Sequence, residues 1–212
     1  MWSRLARELR ARGHEVFTPS LTGVGERAHL AAPAVNLSTH IADVLHALEY
    51  ERLEQVVLVG HSYGGMVVTG AADRAPARIA ALVYLDAFVP QTGQALLDFL
   101  PQPMRERLPR DEWRVPPLPP HAQGMSDPTE IAWVADRRVP QPLGTFTEKL
   151  SLEGRYRGPR RYILCSGYSP STFRAFGERL RSDPAWRYDE LPTHHYPQVS
   201  MPRETAQLLE TT

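Results

Sequence analysis

The sequence predicts an α/β fold: a mainly parallel sheet with helices on both faces. Three observations carry this. Strand-like and helix-like patterns alternate along the chain. The run Val56-Val57-Leu58-Val59 is continuously apolar, as in a strand covered on both faces. That run ends in Gly60-His61-Ser62-Tyr63-Gly64, and a small-residue helical pattern follows, so a strand, a sharp turn and a helix meet at Ser62.

Taken in order, Trp2, Leu5, Ala6 and Leu9 recur at helical spacing and Gly13 stops the helix. Glu15 to Leu21 reads as a short strand punctuated by Pro19, and Thr22 to Pro33 as a loop. Ser38 can cap a second helix whose stripe is Ile41, Val44, Leu45 and Leu48. Gln55 to Gly60 is a strand and a helix follows to about Asp73. Ile79 to Leu85 is the next strand, ending at Asp86. Residues 88–155 change character: prolines crowd Val115 to Pro120, with Trp113 and Trp133 nearby. A long insertion of this kind reads as a cap over a site. Arg161 to Cys165 resumes the strand pattern, and Ser171 to Arg181 is a helix with Phe173, Phe176 and Leu180 inward. Trp186 to Leu191 is the last strand, and Pro202 opens a final helix. The whole, 1–212, reads as a single domain with 88–155 as its cap.

Composition narrows the function classes. The 24 basic and 24 acidic residues cancel, so no global field favours nucleic acid or an anionic membrane surface. No segment is long and apolar enough to span a bilayer. The opening residues lack the apolar core of a signal peptide, so a cytoplasmic protein is expected. The single cysteine, Cys165, excludes an intrachain disulfide and reads as a buried thiol. No clustered His/Cys/Asp spacing calls for a metal, and no cofactor is implied.

Gly-x-Ser-x-Gly between strand and helix is a nucleophile elbow. Gly60 and Gly64 let strand and helix approach while Ser62 takes a strained turn. A serine hydroxyl needs a base to take its proton. Two histidines, His194 and His195, follow the last strand. His61, beside the nucleophile, together with Phe88 and Trp133, is a candidate for the wall of a substrate pocket.

The chain resembles the esterase and hydroxynitrile-lyase branch of the α/β-hydrolase superfamily, which includes plant methylesterases and bacterial EstC-like esterases. The resemblance rests on Phe17-Thr18-Pro19-Ser20-Leu21-Thr22-Gly23-Val24-Gly25-Glu26-Arg27, Thr39 to Val44, Gly60 to Val67 and Val83 to Pro90. It implies a serine hydrolase cleaving a small or medium hydrophobic ester, with Ser62 as nucleophile, a histidine base and the Tyr63 N–H as an oxyanion donor. A catalytically silent binding or cyclase scaffold on the same fold is the other reading.

Three departures from the family pattern shape the expectations. The family ends its last strand with Thr-Gly-His-Asp or a similar run, where this chain has Thr193-His194-His195-Tyr196. The alignment favours His195 as base, with His194 in place of a glycine. Tyr196 stands where the lyases carry a lysine, which argues against cyanohydrin cleavage. Plant members place the acid just after the strand at Tyr162–Cys165, but Ser166 to Ser171 holds no carboxylate. Asp86, at a strand end between Ser62 and His195, is the substitute; Asp183 and Asp189 are weaker. Finally, the family begins with a strand and a His-Gly loop that supplies an oxyanion donor, whereas this chain begins at the helix. A start assigned too late or a truncated chain is expected, with a natural degenerate homologue as the alternative, and either the sheet closes up or inner edges lack partners.

Overall fold

The computed structural model describes residues 1–109 and 111–212; Arg110, inside the 88–155 insertion, lies outside the described residues. The first helix, α1, spans Ser3–Ala11 and ends before Gly13, whose φ of +92° suits glycine. Glu15 to Leu21 forms no strand. A strand needs a ladder partner, and side chains hold this stretch instead. Arg27 donates to the Ser20 carbonyl at 2.9 Å, and Asp43 accepts from Thr22 N–H at 2.6 Å and Thr22 Oγ1 at 2.9 Å.

Helix α2 spans Leu37–Tyr50, and its cap is Asn36 rather than Ser38. Asn36 Oδ1 accepts from Thr39 N–H at 3.0 Å, and Thr39 Oγ1 accepts from Asn36 N–H at 3.4 Å. Ser38 is instead drawn to Glu148 of the insertion, which accepts from both its N–H and its hydroxyl at 2.7 Å. Ile41, Val44 and Leu48 are buried, as their spacing requires.

Strand β1 is Val56–Ser62, helix α3 Gly64–Arg74 and strand β2 Ile79–Ala87. Within the insertion come α4 (Gln102–Glu106), β3 (Arg114–Val115), α5 (Pro128–Ala135), β4 (Gln141–Pro142) and α6 (Gly144–Thr147), with β3 and β4 paired antiparallel. Then follow β5 (Arg160–Cys165), α7 (Arg174–Arg181), β6 (Arg187–Leu191), α8 (Pro197–Ser200) and α9 (Pro202–Glu210). Helix α7 starts three residues later than its pattern predicts, because Ser171 Oγ accepts the Phe173 N–H at 3.2 Å and closes a turn there.

The main sheet is parallel throughout, in the order β1-β2-β5-β6. Leu82 and Tyr84 of β2 face the core shared with α2, α3 and α7, while Val83 and Leu85 face Leu5 of α1 and Ala206 and Leu209 of α9. Helices therefore cover both faces, and β2 is apolar at nearly every position for that reason. β1 reads like such an interior strand but lies at one edge, with no ladder partner on its far side among the described residues. Val57, expected to be covered, is 42% exposed.

Candidate active site

The sharp turn after β1 is present as its residues dictate. Ser62 has φ +56°, a left-handed geometry that few non-glycine residues adopt, and α3 begins two residues later. A Cβ on Gly60 would lie 2.6 Å from Val68 Cγ2 and 2.7 Å from the Gly64 carbonyl oxygen, so strand and helix approach as expected there. Gly64 itself faces open space. The second required glycine is Gly65, where a Cβ would overlap the Phe88 carbonyl oxygen.

Asp86 sits at an irregularity of β2. Its neighbours pair His61 with Leu85 and Ser62 with Ala87, so Asp86 is an extra residue opposite β1, at φ +44°. Such a bulge re-aims a side chain out of the alternation of its strand. The Asp86 carboxylate turns under the ends of β5 and β6, fully buried. Its Oδ1 accepts from Cys165 N–H at 3.1 Å; its Oδ2 accepts from Tyr168 Oη at 2.8 Å and from His195 Nδ1 at 2.7 Å.

His195, in the loop after β6, is 1% exposed and held on every side. Its N–H donates to the Gln123 carbonyl at 3.2 Å, and its carbonyl accepts from His61 Nε2 at 2.6 Å. The Phe173 ring stacks on the imidazole, 4.9 Å between centroids and 5° from parallel. With Nδ1 given to Asp86, Nε2 is the nitrogen left for a reacting group.

Ser62 reaches this pair through two short steps. The Phe88 N–H, two residues after Asp86, donates to the Ser62 carbonyl at 3.2 Å, and His61, its neighbour in sequence, holds His195. No hydrogen bond joins Ser62 Oγ to His195 among the described residues; such bonds commonly tighten only with substrate bound.

The remaining residues predicted for the site divide. Phe88 packs 4.8 Å from Phe173, the ring that stacks on His195, and 5.6 Å from Phe99. His61 is a brace: its Nε2 donates to His195, so its Nδ1 is free to accept from Gln198 Nε2 at 3.3 Å, and burial pushes its pKa well below the usual histidine value. Trp133 lies on α5 among Met125, Val134, Tyr196 and Val199, between the guanidiniums of Arg4 and Arg137 at 5.2 and 4.2 Å. Tyr63 projects its ring away to His40, whose Nε2 donates to the Thr22 carbonyl at 2.8 Å; Nδ1 therefore accepts from Tyr63 Oη at 3.0 Å. His194 pairs with Glu130 at 3.2 Å. Cys165 is buried, and burial raises its thiol pKa, which keeps it protonated and unreactive. Tyr168 and Gln198 carry no motif signal and are visible only once the chain is folded, while His40 lies in the Thr39 to Val44 stretch but has no role assigned from sequence. No group of three or more His, Cys, Asp or Glu suited to a metal occurs among the described residues.

Residues 1–208 match the model of the alpha/beta hydrolase family. The carbendazim hydrolyzing esterase of Nocardioides sp. (strain SG-4G) is 42% identical over 218 residues, covering 96% of this chain and 90% of its own. Methylesterase 3 of Arabidopsis thaliana is 29% identical over 123 residues, 53% of this chain and 43% of its own. Among solved structures, an extracellular alpha/beta-hydrolase from a Paenibacillus species superposes with a TM-score of 0.86, covering 99% of this chain and 92% of that one at 22% identity. That last likeness is one of fold.

Proposed function

The chain belongs to the alpha/beta hydrolase family, and on that premise we propose a carboxylic ester hydrolase working through Ser62, His195 and Asp86. The observation that carries the reading is the buried Asp86–His195 pair, 2.7 Å apart at a bulge after which the Phe88 N–H donates to the Ser62 carbonyl. His195 Nε2 takes the Ser62 proton as Oγ attacks the ester carbonyl carbon. Asp86 fixes the tautomer and stabilises the imidazolium. The Tyr63 N–H, at the start of α3, donates to the developing oxyanion, where the helix dipole also favours negative charge. The imidazolium then protonates the leaving alcohol, and a water activated by the same nitrogen releases the acid.

The substrate is a small or medium hydrophobic ester. Phe173 lies on the His195 ring and packs against Phe88, which packs against Phe99, and this apolar aromatic cluster next to the base supports that class. His61 holds the His195 carbonyl through its Nε2, with the two rings 4.5 Å apart. No helix among the described residues is long and apolar enough to cross a membrane. The cytoplasmic placement expected from the sequence is part of the proposal, and cell fractionation tests it.

The test is steady-state hydrolysis of a panel of methyl and p-nitrophenyl esters, with carbendazim, which the Nocardioides relative is named for hydrolysing. Turnover abolished by Ser62→Ala supports the proposal. A folded enzyme that turns over no member of the panel opposes it.

A further inference from the structure

We infer that the turn Tyr168–Phe173 is a positioning device for the acid–base pair, with Tyr168 setting the charge that Asp86 presents to His195. The inference rests on Asp86 being the acid. Three hydrogen bonds run one way along the turn. The Phe173 N–H donates to Ser171 Oγ at 3.2 Å, Ser171 Oγ donates to Tyr168 Oη at 3.0 Å, and Tyr168 Oη donates to Asp86 Oδ2 at 2.8 Å. Each donor is made stronger by the one behind it. The turn also ends in the Phe173 ring, which lies flat on the imidazole. One six-residue segment thus grips the carboxylate and the base together.

The point of contact matters. Tyr168 does not take the free oxygen of Asp86 but the same Oδ2 that receives His195 Nδ1–H; Oδ1 belongs to Cys165 N–H. Two donors sharing one oxygen fix its lone pairs in direction. They also draw negative charge away from the face turned to the imidazole. Burial and the Asp86 charge raise the Tyr168 pKa, so its hydroxyl stays a donor through the working pH range.

The consequence has a sign. Removing the Tyr168 hydroxyl leaves more charge on Oδ2 facing His195, which stabilises the imidazolium. The acidic limb of the kcat/KM profile then moves upward. Other titratable or charged groups around the pair are His61 from β1, Tyr162 and Cys165 from β5, and Tyr196 and Arg138 beside the histidine loop. None of these changes in the variants below.

The experiment is the pH profile of kcat and kcat/KM for p-nitrophenyl acetate with Tyr168→Phe, Ser171→Ala and Asp86→Asn. For Tyr168→Phe we expect kcat to fall roughly tenfold, because Asp86 loses a donor that holds its Oδ2, and with it the imidazole, in direction. The acidic limb should rise by about one pH unit. Ser171→Ala should shift the limb in the same direction by less, and it carries the test should Tyr168→Phe fail to fold. An unmoved limb in the folded variants, with Asp86→Asn inactive, overturns the role of Tyr168 while the acid assignment stands. Full activity in Asp86→Asn overturns both.

Discussion

Asp86 and His195 lie 109 residues apart in sequence, yet their side chains meet at 2.7 Å with 0% and 1% of their surface exposed. A positive φ at Asp86 makes the meeting possible. Without that bulge the strand's alternation would carry the carboxylate elsewhere. Asp86→Asn keeps the shape but presents the imidazole with a neutral partner. Activity should fall by about 10⁴, the scale seen when a triad acid is neutralised in other enzymes. Circular dichroism should be unchanged. Substantial retained turnover would assign the acid to another residue.

The elbow makes a sharper prediction about two neighbouring glycines. Gly65→Ala forces a methyl into the Phe88 carbonyl oxygen, on the strand segment that also supports Ser62. It should cost several kcal/mol or prevent folding. Gly64→Ala meets nothing within 4 Å and adds helix propensity, so its stability should stay within about 1 kcal/mol of the parent. Urea denaturation of the two variants separates these outcomes.

Two buried histidines make the fold sensitive to acid. Burial lowers the pKa of His61 and of His40 in the folded state. Above the unfolded value of about 6.5 both rings are neutral in either state and the full stability is present. As pH falls below that value the unfolded chain binds protons that the native rings refuse. Stability then declines by up to about 1.4 kcal/mol per pH unit for each ring until the native pKa is reached. The urea midpoint should therefore drop between pH 7 and pH 5, ahead of the carboxylates. His61→Gln should flatten the decline. A midpoint constant over that window would contradict the account.

A smaller test concerns α2. Asn36→Ala removes one side of a reciprocal cap and should destabilise the protein by about 1 kcal/mol, read from the thermal or urea midpoint.

The elements that sequence reading located best are those whose pattern is enforced by two covered faces, such as β2, or by steric need, such as the turn at Ser62. Asp86 was legible as the acid candidate from its place at a strand end, but its bulge was not, since a register shift depends on the partner strand. Glu15 to Leu21 has strand-like composition and no partner, so side chains of Arg27 and Asp43 decide its path. Ser38 is a good cap residue, but Glu148, 110 positions away, competes for it. Trp133 has no periodic signal in the sequence, and its contacts with Tyr196, Arg4 and Arg137 emerge only from tertiary packing. Tyr168 and Gln198 act through loop geometry, which leaves no periodic trace.

Covalent labelling of Ser62 addresses the central claim most directly. The chain would be treated with a fluorophosphonate and its intact mass measured, alongside Ser62→Ala and His195→Ala. The account predicts one adduct on the parent, absent in Ser62→Ala and slowed at least a hundredfold in His195→Ala. A folded parent that takes no adduct would contradict an activated Ser62 and leave the fold as a binding scaffold.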